Sequence, residues 1–251
     1  MSDQLSRKNI PIDERLIVAL DVPDLMLAKR LVAHLDDAAY FFKIGLELCM
    51  SGSYLELIEW LRRRGKRVIC DLKFFDVPET VERAMRQLSD RGVDFVTVHG
   101  HHSMLETAAS HKNRPKLLAV AAPNSLDRSE FESLGLKCDW GDLALAHARN
   151  ALKLGCDGLF SSGFEAAGLR DDLEDRFLVA YPDLRLADHH PSETPTHPVT
   201  VEQAFRAGAD YVVIGRQIKN APDPRAKAEE IQTRIEDLFG AAGRAKKPHL
   251  T

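Results

Sequence analysis

The chain has 251 residues, 44% of them hydrophobic and 29% charged, with 15 Gly and 12 Pro, a composition unlike that of disordered, collagen-like or membrane proteins. Lys and Arg number 34 against 38 Asp and Glu, a formal net charge of -4. A polyanion therefore meets no global attraction, and nucleic acid is not an expected partner. Cys49, Cys70, Cys138 and Cys156 show no C-x-x-C spacing and fit a reducing compartment. The stretch from Met1 to Asp13 is polar, and no apolar run approaches the roughly 18 residues of a membrane span. A soluble cytoplasmic protein is the expectation.

In chain order, short apolar runs rich in β-branched residues alternate with stretches of helical periodicity. Leu16 to Leu20 is the first predicted strand, and Leu27, Leu31, Val32 and Leu35 recur behind it at helical spacing. Tyr40 to Ile44 follows, then a helix from about Ser53 to Arg64 with Gly65 placed for a left-handed cap. Arg67 to Asp71 is the third strand, and Pro78 opens the next helix, where a missing N–H loses nothing. Phe95 to Val98 precedes a helix from Ser103, and Leu117 to Val120 precedes one from Gly141 to Leu154. The last three strands are Gly158 to Phe160, Phe177 to Val179 and Tyr211 to Ile214, with helices after Phe164, Thr200 and Pro224. Parallel strands joined by helical crossovers, repeated this many times in one chain of this length, predict an α/β fold, a single (β/α)8 TIM barrel. The expected division is a polar extension over 1–14, the barrel over 15–239 and a flexible tail over 240–251. The repetition reads as structural, without a sequence repeat.

Active sites of such barrels lie at the carboxyl ends of the strands. The polar residues there are Asp21, Lys43, Asp71, Lys73, His99, Ser125, Arg185, Gly215 and Arg216. Most strand ends carry a charge of no special meaning, but Asp71-Leu72-Lys73-Phe74-Phe75-Asp76-Val77-Pro78 concentrates three charges behind an apolar strand. Asp71 and Lys73, two apart on a strand, share a face. With Lys43 from the neighbouring strand, two ammonium groups alternate with Asp71 and Asp76. A structural role alone poorly repays the desolvation of so many charges. Such an array holds a lysine charged and aimed, as a proton donor requires.

Together with Leu20-Asp21, Phe42-Lys43-Ile44-Gly45 and Val212-Val213-Ile214-Gly215-Arg216, this segment resembles the orotidine 5'-phosphate decarboxylase family of bacterial type, from about Leu16 to Leu238. The resemblance implies a cofactor-free, metal-free decarboxylation of orotidine monophosphate by a homodimer with shared sites. Lys43, Asp71, Lys73 and Asp76 are then the catalytic set, with Lys73 the donor to C6 and Asp76 and Thr80 reaching in from the partner subunit. Asp21 is expected at the ribose, Asn124 and Ser125 at the pyrimidine, and Arg185, Gly215 and Arg216 at the phosphate. Magnesium-dependent sugar-phosphate lyases share the D-x-K-x-x-D element, but by the same resemblance they carry a carboxylate where this chain has Lys43.

The sequence departs from the family pattern at Asn124, at His99-Gly100-His101-His102-Ser103, at Asp183 in place of a phosphate-loop glycine and at Pro195 in place of a glutamine. These changes concern substrate binding, so a non-catalytic nucleotide-binding relative stands as an alternative beside the magnesium-dependent enzyme. His99 with His101 and Asp188-His189-His190 lack the carboxylate companions of a metal site and read as loop histidines. Cys70 points away from Asp71 and reads as a packing thiol.

Overall fold

The structure, a computed structural model, describes residues 5–99, 102–120, 140–161, 177–182 and 199–244. Among these, parallel strands β1 (Leu16–Ala19), β2 (Phe41–Gly45), β3 (Arg67–Phe74), β4 (Phe95–Val98), β5 (Lys116–Val120), β6 (Gly158–Phe160), β7 (Leu178–Tyr181) and β8 (Tyr211–Ile214) pair in chain order. The sheet closes where Leu16 of β1 meets Val212 of β8. The expected (β/α)8 barrel is therefore the fold. Around it lie α1 (Leu25–Leu35), α2 (Leu46–Met50), α3 (Tyr54–Arg63), α4 (Pro78–Ser89), α5 (His102–Ser110), α6 (Trp140–Lys153), α7 (Val201–Arg206), α8 (Arg216–Lys219) and α9 (Pro224–Arg244). The helix expected after Phe164 lies outside the described residues.

Local chemistry sets several element ends. Asp24 accepts from Leu27 N–H at 2.8 Å to start α1, Thr200 and Gln203 form a reciprocal capping box on α7, and Pro78 opens α4. Gly65 takes φ +69° just past α3, a conformation that a side chain would strain. The short helices α2 and α8, which follow directly on Gly45 and Gly215, have no counterpart in the predicted elements. Each is too brief for a periodic signal. β7 runs from Leu178 to Tyr181, about two residues later at its end than its apolar run suggests.

Strand alternation divides the apolar residues into two layers. Leu16, Val18, Phe42, Ile44, Val68, Cys70 and Val96 face the helices. Ile17, Ala19, Phe41, Ile69, Phe95, Leu118, Tyr211 and Val213 fill the barrel. At its amino end, Phe41, Phe95 and Tyr211 pack with ring centroids 5.2 to 5.9 Å apart, and the Arg67 guanidinium lies 4.6 Å from the Phe41 centroid. Such filling makes the barrel a packed core, so chemistry is left to its other end.

Three connections share a sequence repeat that periodicity does not reveal. Gly92-Val93-Asp94, Gly155-Cys156-Asp157 and Gly208-Ala209-Asp210 precede β4, β6 and β8, each glycine at positive φ. Asp94 accepts from Val68 N–H at 2.9 Å, Asp157 from Leu117 N–H at 2.8 Å and Asp210 from Val179 N–H at 2.8 Å. Each carboxylate thus ties its strand to the preceding one.

The polar residues among 5–14 are tied to the barrel. Ser6 and Lys8 bond the fully buried Asp210, Arg15 reaches the carbonyls of Asp210 and Lys8, and Glu14 pairs with Arg67. A buried carboxylate needs these partners, and the polar segment supplies them. At the other terminus, α9 packs against α1, α7 and α8 and continues to Arg244, past the boundary expected at 239.

Candidate active site

The inward-facing positions turn polar at the carboxyl ends of β1 to β4. Asp21 continues the face of Ile17 and Ala19, Lys43 that of Phe41, Asp71 that of Ile69 and Thr97 that of Phe95. In-register pairing then sets them side by side: Ala19 lies opposite Lys43, and Gly45 opposite Asp71.

Their side chains join in one line of alternating charge. Asp21 Oδ1 is 3.0 Å from Lys43 Nζ, Lys43 Nζ is 3.3 Å from Asp71 Oδ2, and Asp71 Oδ1 is 2.9 Å from Lys73 Nζ. The inner pair is buried, with Asp71 6% and Lys43 11% exposed, while Asp21 at 48% and Lys73 at 49% face the opening. Burial pushes the Asp71 carboxyl up, but Lys43, Lys73 and hydrogen bonds from Lys73 and Thr97 outweigh it and hold the group below its ordinary range. Burial likewise lowers Lys43, and Asp71 and Asp21 more than offset that, so its ammonium is held above its ordinary range. The line sets two carboxylates against two ammonium groups, so the array is formally neutral.

Plain strand alternation does not place Lys73. Cys70 pairs with Val96 and Phe74 with Val98, so β3 advances four residues where β4 advances two. Within this bulge Lys73 takes φ +48°, and its N–H donates to Thr97 Oγ1 at 3.0 Å. The side chain is turned back onto Asp71 by that irregularity. Phe160 lies beside it, its ring centroid 5.8 Å from Nζ.

Asp76 stands apart from the array of its own chain. Its carboxylate is exposed and turns onto Val77 N–H at 2.6 Å rather than onto Lys73, and within this chain Asp21 is the second carboxylate of the array. Asp76 and the half-buried Thr80 instead line a cleft shared with Lys73, Leu46, Cys49 and Phe75. Asn124, Ser125, Arg185, Asp183, Pro195, His101, His189 and His190 lie outside the described residues.

Gly215 packs closely against β1: a Cβ there would stand 3.1 Å from the Ala19 Cβ and 3.4 Å from Asp21 Oδ2, so a side chain would need its neighbours to give by a few tenths of an ångström. Arg216 follows as the exposed first residue of α8, and Lys219 of the same helix donates to the Asp21 carbonyl. His99, half-buried, packs edge-on against Phe75 at 5.9 Å. Burial, with His147 and Lys73 nearby, holds it below the usual histidine range. Cys70 faces the helices, and burial pushes its thiol up to about 12. It is no nucleophile at neutral pH.

Two side chains at the site escape the sequence reading. Thr97 sits inside an ordinary apolar strand, and Lys219 lies on a helix too short to predict. The inward alternation of β4 is the one signal that points to Thr97.

Residues 14–231 match the sequence model of the family described as orotidine 5'-phosphate decarboxylase / HUMPS. The chain belongs to this family. It is 49% identical to the orotidine 5'-phosphate decarboxylase of Methylococcus capsulatus strain Bath, covering 96% of the chain and 100% of that protein. The enzyme of the same name from Stenotrophomonas maltophilia is 39% identical over 94% of the chain and its own full length. Among solved structures, the orotidine 5'-phosphate decarboxylase of Lactobacillus acidophilus aligns with a TM-score of 0.77 and 29% identity, over 89% of this chain and 99% of that one. The Pyrococcus horikoshii enzyme, at 24% identity and a TM-score of 0.69 over 90% and 99%, shares the fold.

Proposed function

We propose that this chain decarboxylates orotidine 5'-monophosphate to uridine 5'-monophosphate in pyrimidine biosynthesis, with Lys73 as proton donor. The observation that carries the reading is the half-exposed Lys73 ammonium anchored by buried Asp71, itself neutralised from behind by Lys43. In the reaction the bond from C6 to the carboxylate breaks, CO2 departs, and the electron pair left on C6 takes a proton from Lys73 Nζ. No carbonyl adjoins that carbon to spread the charge, so an ammonium aimed at it in advance supplies the stabilisation. Asp71 already holds that ammonium in place, so little reorganisation accompanies the developing charge. Water restores the lysine proton after release.

The substrate's binding groups are those the family resemblance implies, and the strand-end positions of Asp21, Gly215 and Arg216 support it. Asp21, on the open rim beside Lys43, takes the ribose; Gly215 and Arg216 at the end of β8, together with Arg185, take the phosphate; Asn124 and Ser125 take the pyrimidine. Phosphate sites near the last strands recur in this architecture. Binding the distant phosphate helps draw the ring onto Lys73, which lowers the chemical barrier.

The magnesium-dependent reading is disfavoured by Lys43, whose ammonium stands between the Asp21 and Asp71 carboxylates where a divalent ion would otherwise balance them. A homodimer belongs to the proposal. Phe75 and Val77 are 65% and 58% exposed, Leu46 and Met50 61% and 76%, beside the cleft that holds Asp76 and Thr80. Exposed apolar groups clustered around a half-finished site are what a second copy would cover. The cytoplasmic setting is supported by the free thiols of Cys49, Cys70 and Cys156, and no helix among the described residues is long and apolar enough to cross a membrane.

Loss of orotidine monophosphate absorbance in excess chelator tests the reading. Turnover under those conditions is expected; activity confined to sugar phosphates with added magnesium, or nucleotide binding without turnover, would overturn it.

A further inference from the structure

Thr97 is fully buried in β4, directly above the apolar filling of the barrel, and its hydroxyl makes two bonds. It accepts from Lys73 N–H at 3.0 Å and gives to Asp71 Oδ1 at 2.9 Å. The direction of both is settled by chemistry: a backbone N–H can only donate, and an ionised carboxylate can only accept. The single hydroxyl proton is therefore committed to Asp71. The hydroxyl also sits across from the β3 bulge, where Lys73 holds φ +48°, a region unfavourable for any residue with a Cβ. Such a conformation persists only where the surroundings hold it.

We infer that Thr97 is a positioning residue of the decarboxylation, a clamp that fixes the left-handed backbone of Lys73 and the carboxylate of Asp71 through one oxygen. The inference rests on the decarboxylase reading for its chemistry, though the clamp itself is geometric. Thr97 touches the Asp71 carboxylate and the main chain of Lys73 without touching the opening. It sets the direction of the Lys73 ammonium by holding the main chain from which that side chain departs and the oxygen on which it rests. Without the hydroxyl, Lys73 N–H loses its acceptor and the bulge loses what opposes its strain.

Thr97→Val keeps the shape and removes the oxygen; Thr97→Ser keeps the oxygen. Steady-state kinetics on orotidine monophosphate should show kcat down about 10²-fold in Thr97→Val, as displacement of a reacting group by an ångström allows, with KM within roughly threefold of wild type. Thr97→Ser should return kcat to within roughly fivefold, because the donor and acceptor are kept. Native kcat in Thr97→Val, or a Thr97→Ser as slow as Thr97→Val, would overturn the assignment. If Thr97→Val does not fold, Thr97→Ala compared with Thr97→Ser decides the same question. Crystal structures of the folded variants give a readout independent of turnover. Lys73 is expected to leave the left-handed region or to separate from Asp71 when the hydroxyl is gone, and an unchanged bulge with an intact ion pair counts against the clamp. Wild-type protein inert toward orotidine monophosphate would sink the decarboxylase reading, and the crystallographic comparison would still decide Thr97.

Discussion

Asp71 is a carboxylate that burial alone would neutralise, and it stays ionised because two ammonium groups and a hydroxyl converge on it. Removing one partner of a buried pair is costly because the other is left uncompensated. Lys43→Met should therefore destabilise the fold by about 3 kcal/mol in urea unfolding, even though Lys73 and Thr97 still serve Asp71. Asp71 lies below its ordinary 3.8, so its pairing contributes fully above that value and is lost as pH falls through the lower folded-state value. Lys43 lies above its ordinary 10.5, so its contribution is full below that and disappears as pH rises through the higher folded-state value. The penalty in Lys43→Met should accordingly be flat from about pH 5 to 9 and shrink under acid. A titration centred near neutrality would contradict this pairing. Lys73→Ala, half exposed, should leave the unfolding midpoint nearly unchanged yet lower kcat by at least about 10³-fold. Full decarboxylation by that variant would remove Lys73 as the donor.

Strands β6 and β7 approach so closely at Gly158 that an added Cβ would lie 2.3 Å from the Leu178 carbonyl oxygen and 2.7 Å from its Cβ. The two residues are paired in register, so relief requires the strands themselves to part. Gly158→Ala should cost at least about 2 kcal/mol by thermal or chemical denaturation, and a neutral result would show the strands able to shift. The Gly-x-Asp connections make a graded series. Asp210 is wholly buried and serves Val179 N–H, Ser6 and Lys8, whereas Asp157 is 31% exposed. Asp210→Ala is expected to cost about 3 kcal/mol and Asp157→Ala about 1 to 2, since stranded donors matter most where water cannot replace the acceptor. The reverse order in urea midpoints would argue that the motif acts through its glycines instead.

Asp76 and Thr80 stand apart from the charged line of their own chain, on a cleft bordered by exposed apolar side chains. In the proposed dimer a working site takes Lys73 from one subunit and Asp76 from the other. Subunit exchange then has a definite consequence under two-fold symmetry. Lys73→Ala and Asp76→Ala proteins, each nearly inactive, should regain about a quarter of wild-type activity when mixed and re-equilibrated in equal amounts, because half the dimers then carry one intact site. No recovery, with exchange verified by a tagged subunit, would place Asp76 in the site of its own chain or outside any site.

The barrel was legible in the chain because parallel strands covered by helices read as apolar runs separated by amphipathic stretches, a pattern local enough to survive in one dimension. Asp21, Lys43, Asp71 and Lys73 were legible for a related reason: charge at the end of a buried strand is conspicuous. The Gly-x-Asp repeat was also printed in the residues, but its spacing is irregular and its meaning, a bond back to the preceding strand, exists only in the closed sheet. Closure likewise set Asp21 beside Lys43, brought Ser6 and Lys8 to Asp210, and set Thr97 against a bulge that no alternation rule foresees. Residues far apart along the chain met there through strand register and a left-handed kink at Lys73, and register is a property of pairs of strands, not of any one segment.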